Sequence, residues 1–205
     1  MDYSLELNIT NHCQAKCRTC RRTVTETGEK QPWLVLKHMT NEELSYIVRQ
    51  TIGLPMTYDL CGEYGDPMMH PNLQLFIDEL TCIGKVTINT NGGLRSPDFY
   101  EENSQNRRLN FTFSIDGITE EVNWKYREGV NFSRAWKNMT TWFRNGGRGK
   151  WEYLVFEWNK HQCRQAKVFA DANNIPIRFK WPNGAHGQVE KSEREQLQNI
   201  LPFSR

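Results

Sequence analysis

Three cysteines near the start of the chain are the residues best suited to chemistry. Cys13, Cys17 and Cys20 form the pattern C-x3-C-x2-C, and basic residues surround them at Lys16, Arg18, Arg21 and Arg22. Thiolates this close together suit a soft metal, and neighbouring positive charges favour the ionised thiol. On a four-iron cluster, three ligands would leave one iron open to bind a small molecule. The spacing therefore predicts a metal site. The alternatives are an open iron–sulfur cluster and a zinc site with His12 as the fourth ligand.

The other three cysteines are scattered. Cys61 follows a β-rich run, while Cys82 and Cys163 lie on helical patterns, where we expect them to be buried as small apolar residues. The first ten residues have no basic and apolar leader pattern, so we expect a reducing, cytoplasmic location with free or metal-bound cysteines.

Composition limits the classes of function. The chain has 205 residues, enough for one domain, and its 26 basic and 24 acidic residues give a net charge of only +2. This balance is no strong signal for nucleic-acid binding. No run of about 18 apolar residues occurs, so we expect no membrane span.

Short β-rich runs alternate with helical patterns along the chain. The patterns predict strands over residues 5–10, 57–60, 85–89, 110–115, 152–158 and 175–181. They predict helices over about 40–50, after Pro71, and over 97–103, 133–145 and 160–173. Such alternation is typical of βα units and a parallel sheet. Because a closed barrel needs eight units, a partial barrel and a doubly wound sheet are the two candidates.

Polar residues follow the ends of five predicted strands, at positions 11–13, 61–63, 90–92, 114–117 and 157–159. In both candidate folds the active site lies beyond the carboxyl ends of the strands. The unusual residues should therefore meet at one edge of the sheet.

Six motifs in order give the sequence a family resemblance. They are NITNHCQAKCRTC (8–20), CGEYGDPMMHP (61–71), INTNG (88–92), FSIDG (113–117), YREG (126–129) and VFEWNKHQ (155–162). This set resembles the radical S-adenosylmethionine (radical SAM) enzymes, and in particular the core of members that often carry a SPASM or twitch extension, here without that extension. The resemblance implies a single-domain α/β fold, a partial (β/α)6 TIM-like barrel. Residues 1–182 would form the core and 183–205 a tail or closing helix.

The resemblance also implies cofactors. A [4Fe–4S] cluster would be held by Cys13, Cys17 and Cys20, and SAM would chelate the open iron. An external one-electron donor of the flavodoxin or ferredoxin type would reduce the cluster. SAM would be cleaved to methionine and a 5′-deoxyadenosyl radical that abstracts hydrogen from a substrate. A peptide, a nucleoside and a small metabolite are all open as that substrate.

Seven further residues match the SAM-binding positions of the family. Glu63 would accept hydrogen bonds from the SAM ammonium, and Gly62 would let the backbone approach the ligand. Arg127 would face the SAM carboxylate, for which a planar guanidinium is suited. The remaining positions are Ser114 as a hydrogen-bonding residue, Thr90 and Asn91 near the ribose, and Phe156 near the adenine.

Several of these residues also have purely structural interpretations. Asn91 and Gly92 could simply form a tight turn, Phe156 could be a core aromatic, and Asp116 could merely cap the strand-four turn. His70 and His161 could face substrate, although a lone histidine is more often structural. The sequence departs from the family at Thr19, where many members have an aromatic residue near the adenine.

Two other functions are compatible with these patterns. One is a non-catalytic interaction module that binds zinc or a cluster. The other is an activase that makes a glycyl radical on a partner protein.

Overall fold

Six parallel strands form the centre of the molecule. The computed structural model describes residues 2–182 and 188–203. The strands are β1 (Tyr3–Glu6), β2 (Met56–Leu60), β3 (Gly84–Thr90), β4 (Leu109–Ser114), β5 (Arg148–Leu154) and β6 (Ile177–Lys180). Their order in the sheet is the order along the chain, and each neighbouring pair is parallel. A doubly wound sheet would reverse its strand order at a switch point. The consecutive order therefore identifies a partial (β/α)6 TIM-like barrel.

Helices and short turns connect the strands. They are α1 (Asn41–Thr51), α2 (Leu73–Ile83), α3 (Pro97–Asn103), α4 (Glu120–Trp124), α5 (Phe132–Arg144), α6 (Cys163–Ala172) and α7 (Lys191–Gln198). Two 3-10 turns cover Pro67–Met69 and Lys160–Gln162. The capping box predicted at the start of α1 is present, because Thr40 and Glu43 each accept a hydrogen bond from the backbone amide of the other. The five-residue helix α4 was too short for its pattern to be noticed in the sequence.

Side chains alternate between two faces along each strand. One face packs under the helices and holds the apolar core, including Tyr58, Ile88, Phe111, Trp151 and Phe179, all of them fully buried. We call the opposite side of the sheet the inner face. It carries half-buried polar and charged residues at Asp59, Asn89, Lys150, Glu152 and Lys180. Two contacts link residues across it, from Asn89 to Asp59 at 2.6 Å and from Lys180 to Glu152 at 2.9 Å.

Two strands begin and end earlier than the sequence predicts. β1 ends at Glu6, and the chain then pairs with a later segment, with Thr10 opposite His38 in an antiparallel bridge. β5 ends at Leu154, where side chains take the backbone amides of Leu154 and Phe156. The Asp116 carboxylate accepts from the Leu154 amide at 2.7 Å, and the Asn159 side chain accepts from the Phe156 amide at 2.7 Å. Propensity along one strand cannot show such competing acceptors.

Three other predictions can be compared with the structure. Cys163 is buried as predicted, but Cys82 is exposed, so that prediction was wrong: its position on α2 faces solvent. No helix among the described residues is both long and apolar enough to cross a membrane. Part of the predicted tail, residues 183–187, lies outside the described residues, and α7 follows it.

Candidate active site

A cavity of about 310 Å³ lies at the carboxyl ends of the strands. Nine of the ten residues predicted to bind a metal or SAM line it: Cys13, Cys17, Cys20, Gly62, Glu63, Thr90, Asn91, Ser114 and Arg127. They lie at the ends of four different strands or in the loops that follow them. The parallel topology alone brings these distant segments to one edge, as the sequence predicted.

The cysteine loop has no regular secondary structure and is held by a buried arginine. Arg22 donates to the backbone oxygens of Cys13 at 3.2 Å, Ala15 at 3.1 Å and Tyr64 at 3.1 Å. Only 8% of its surface is exposed. Arg22 was predicted only as a charge beside the thiols. In the structure it joins this loop to the loop after β2.

Burial dominates the ionisation of two of the thiols. It raises the pKa of Cys13 to about 12, with the nearby Asp66 carboxylate adding to the effect. Burial also raises the pKa of Cys17, while the Arg127 guanidinium acts in the opposite direction. Thiols in such a setting bind a metal by exchanging their protons for it, which couples metal binding to pH.

The arrangement of the thiols decides which kind of metal centre they could hold. Within residues 2–182 and 188–203, no three side chains of His, Cys, Asp or Glu converge closely enough to hold one metal ion. Cys13, Cys17 and Cys20 instead line a shared cavity. In an iron–sulfur cluster each thiolate binds a different iron, so the ligands need not meet at one point. The donor set fits a cluster.

The loop after β2 approaches the cysteine loop very closely. A Cβ atom on Gly65 would lie 2.4 Å from the Thr10 carbonyl oxygen, and one on Gly62 would lie 2.8 Å from the Gly65 oxygen. Gly62 therefore makes room for protein backbone, and it also lines the cavity, where we expect the ligand. Next to it, the Glu63 carboxylate forms an ion pair with Arg21 at the cavity.

A buried carboxylate that the sequence analysis did not single out fixes the end of β3. Asp66 accepts from the Asn91 amide at 2.9 Å, from the Met68 amide at 3.0 Å and from the Thr90 hydroxyl at 3.0 Å. Burial raises the pKa of Asp66, and these hydrogen bonds act to lower it. The only sign of its role in the sequence was its place as the sixth residue of the motif CGEYGDPMMHP.

Asn91 serves both of the interpretations given for it. Its side-chain oxygen accepts from the Gly93 amide at 2.9 Å, and Gly92 has a φ of +75°, as expected for a tight turn. The same oxygen accepts from the Gln14 amide group at 2.8 Å, which joins the turn to the cysteine loop. Asn91 also lines the cavity.

Ser114 and Arg127 present contrasting polar groups to the cavity. The Ser114 hydroxyl makes no hydrogen bond to any described residue. Arg127 is tightly held: its Nε donates to Asp116 Oδ2 at 2.6 Å and its Nη1 lies 3.8 Å from Cys17 Sγ. Asp116 is thus more than a cap of the strand-four turn.

Phe156 is the one predicted SAM contact that does not line the cavity. It is fully buried, with its ring centroid 4.6 Å from that of Tyr126 and 4.5 Å from that of Trp158. Tyr126 and Leu154 line the cavity there instead. The Tyr126 hydroxyl lies 2.6 Å from the Thr19 hydroxyl, at the position where the sequence departs from the family.

The two histidines considered for substrate contact lie elsewhere. His70 is buried: Met39 O lies 2.9 Å from its Nε2, and its Nδ1 accepts from the Asn72 amide at 3.2 Å. This is a structural role. His161 is exposed and lines a groove beside α7.

Comparisons with known proteins agree with this geometry. The family model of the radical SAM superfamily matches residues 7–165. No curated protein matches the sequence. The fold is similar to SuiB from Streptococcus suis bound to S-adenosylmethionine, with a TM-score of 0.75 and 15% identity over 98% of this chain and 49% of that one.

Two further solved structures are similar. SuiB bound to the precursor peptide SuiA has a TM-score of 0.72 and 16% identity, covering 98% of this chain and 48% of that one. Native anSMEcpe with bound AdoMet has a TM-score of 0.67 and 12% identity, covering 99% of this chain and 64% of that one. The chain thus spans about half the length of SuiB. At these identities the likeness shows the fold, while the family match extends over most of the sequence: the chain belongs to the radical SAM superfamily of enzymes.

Proposed function

We propose that this chain holds a [4Fe–4S] cluster on Cys13, Cys17 and Cys20 and cleaves SAM reductively. The observation that carries the proposal is the single cavity lined by these three thiols and by six of the residues expected to bind SAM. When bound, the cluster and SAM supply methionine and a 5′-deoxyadenosyl radical that abstracts hydrogen from the substrate. The chain's own residues bind and orient the ligands and keep water from the reacting atoms.

Three side chains supply the polar contacts to SAM in this proposal. Glu63 accepts from the ammonium group through Oε2, since the ion pair with Arg21 uses Oε1. Arg127 presents its Nη groups to the SAM carboxylate, because its Nε is already used by Asp116. The Ser114 hydroxyl, which has no partner among the described residues, donates to or accepts from SAM.

Other residues shape the cavity around these contacts. Asp66 holds Thr90 and Asn91 in place for the ribose, since its carboxylate accepts hydrogen bonds from the Thr90 hydroxyl and the Asn91 amide. Tyr126 and Leu154 form the apolar wall on the adenine side, with Phe156 packed behind Tyr126.

We infer that the substrate is polar and reaches the cavity along the inner face of the sheet. Asn89 belongs to the inner face and also lines the cavity, so the two surfaces are continuous. Peptides are the substrate class to test first, because SuiB, of similar fold, has been solved with its precursor peptide.

The partner and the domain division follow from the same proposal. A flavodoxin- or ferredoxin-type donor supplies one electron.

Residues 1–182 form the catalytic unit and 183–205 a closing segment. In support, Lys160 pairs with Glu193 of α7 at 2.6 Å, and the Phe203 ring stacks 4.5 Å from Trp181.

Anaerobic reconstitution with iron and sulfide tests the proposal. We expect about four irons per chain and a brown protein. Dithionite and SAM should then yield 5′-deoxyadenosine, and a true substrate should raise that yield above the uncoupled background. Candidate peptides, nucleosides and small metabolites can be compared by this measurement.

Other outcomes would support the alternatives. One equivalent of zinc in a colourless protein would indicate an interaction module instead. A glycyl radical formed on an added partner protein, with no small substrate consumed, would indicate an activase.

A further inference from the structure

A buried ion pair between Asp116 and Arg127 lies beside the cysteine loop. The proposed function uses Arg127 to bind SAM but gives Asp116 no contact with a ligand. Asp116 is fully buried, and its Oδ2 accepts from Arg127 Nε at 2.6 Å. Its other carboxylate oxygen accepts from the Leu154 amide at 2.7 Å. Both oxygens therefore have fixed donors, and the carboxylate has no freedom to rotate.

The backbone around Asp116 is held equally firmly. Its amide donates to Asn123 Oδ1 at 2.9 Å, and its carbonyl accepts from Asn159 Nδ2 at 2.9 Å. Asn123 and Asn159 are themselves buried. Helix α4, the end of β5 and the turn after β5 thus fix one carboxylate behind Arg127, which lines the cavity.

Stability alone does not account for such a pair. A buried ion pair loses the hydration of two charges, and replacing it with apolar residues is often neutral or stabilising. Burial acts to lower the pKa of Arg127, but Asp116, Cys17 and Tyr126 together outweigh it, so the pKa lies above its ordinary value and the guanidinium stays charged.

The positive member of the ion pair is the one that faces the thiols. With Nε bound to Asp116, Arg127 Nη1 lies 3.8 Å from Cys17 Sγ, and the guanidinium carbon lies 5.0 Å from the centre of the Tyr126 ring. The positive charge is therefore next to Cys17, with the negative charge behind it. Since Coulomb energy falls with distance, the nearer cation dominates at the sulfur while the carboxylate weakens its field.

We propose that Asp116 is a positioning residue that fixes the Arg127 guanidinium against the Cys17 side of the cavity and moderates its charge there. This inference rests on the proposed function, because it concerns a cluster bound at Cys17. The inference gives Asp116 and Arg127 opposite effects on the potential of the cluster. If both residues were purely structural, their substitution would not shift it in opposite directions.

The test is the reduction potential of the reconstituted cluster in variants that each remove one charge. Asp116→Asn keeps the shape but removes a negative charge, so the potential should become more positive. Arg127→Gln removes a positive charge, so the potential should become more negative. The matched control Asp171→Asn changes an exposed carboxylate paired with Lys167, and should leave the potential unchanged.

Binding of SAM, measured by calorimetry on the reconstituted protein, gives a second readout. Arg127→Gln should weaken binding by about tenfold or more, because a charge-assisted contact is lost. Asp116→Asn should weaken it less, because the cation is kept and only its anchor is lost. If Asp116→Asn does not fold, the double variant Asp116→Asn/Arg127→Gln removes both charges. It should restore folding, with a potential nearer that of the unmodified protein than that of Arg127→Gln alone.

The outcomes separate this inference from the proposed function. If the unmodified protein holds no cluster or binds no SAM, the proposed function itself is wrong. If it does both, but the two single substitutions shift the potential in the same direction or not at all, the positioning role of Asp116 is overturned.

Discussion

The two faces of the sheet use the same six strands for different purposes. Under the helices, each of the strands β2 to β6 contributes fully buried apolar side chains, such as Phe111, Trp151 and Phe179. On the inner face, neighbouring residues of those strands are polar and half-buried, such as Asp59 and Glu152. Because successive side chains of a strand point to opposite sides, one segment can supply folding free energy and a ligand-facing surface together. Substitutions only one residue apart in a strand should therefore affect either the stability of the fold or the chemistry of the site.

The two buried cysteines give the largest expected contrast. Cys17→Ala should abolish both the brown colour and SAM cleavage, because it removes one of three thiolates proposed to hold the cluster. Cys163→Ala, in the core on α6, should keep about four irons per chain and lose only about 1 kcal/mol of unfolding free energy. Iron analysis and 5′-deoxyadenosine formation measure the difference. Retention of full iron and activity by Cys17→Ala would refute the assignment of that thiol.

A second contrast lies within β5, between neighbours on opposite faces. Trp151 is fully buried and donates to the Ile115 oxygen at 2.7 Å, so Trp151→Ala should lower the unfolding free energy by about 3–5 kcal/mol. The adjacent Glu152→Gln should change it by less than about 1 kcal/mol, since its ion pairs with Lys180 and Lys150 are partly hydrated. Urea unfolding measures both. Equal losses in the two variants would contradict the division between the faces.

At the carboxyl edge of the sheet, Gly65 allows the loop after β2 to contact the chain just before the cysteines. Gly65→Ala should lower the unfolding free energy by about 1–3 kcal/mol and reduce the iron retained, because its Cβ would meet the Thr10 carbonyl oxygen. Gly53→Ala is the matched control: nothing lies within 4 Å of its Cβ, so only its φ of +85° opposes the change. That strain amounts to about 1 kcal/mol and should leave iron retention intact. Normal iron content in Gly65→Ala would show that the close approach is dispensable.

The smallest effect is expected from pH. Burial lowers the pKa of His70, Arg95 adds to the effect, and the hydrogen bond to Met39 opposes it. The unfolded chain therefore takes up a proton on this ring at a higher pH than the folded chain does. Stability from neutral His70 is present above about pH 6.5 and is lost as the pH falls below it.

Unfolding of the cluster-free protein at about pH 7.5 and about pH 5.5 checks this prediction. The unfolding free energy should be lower at the acid pH, and His70→Gln should reduce that difference. An unchanged difference in the variant would assign the acid sensitivity to other groups, such as the neighbouring His38, whose pKa is also lowered by burial.

Much of the fold could be read from local patterns. Short runs rich in β-branched and aromatic residues predicted all six strands, and the capping box at Thr40 predicted the start of α1. The errors lie at ends and at isolated positions. β5 ends at Leu154 because Asp116 takes its amide, and Cys82 turned out to face solvent. These outcomes depend on partners far away in the sequence.

The sequence by itself determined the types of residue proposed as ligands, their spacing and the edge of the sheet on which they meet. Cys13, Cys17 and Cys20 are close in the chain, and parallel βα units carry all strand ends to the same side. Only the tertiary structure decided which charges are buried and what they touch. Arg127 reaches Cys17 across 110 positions, and Asp66 reaches Thr90 across 24. The physical reason is that burial and hydrogen-bond partners arise where loops cross in space, and no local pattern encodes that crossing.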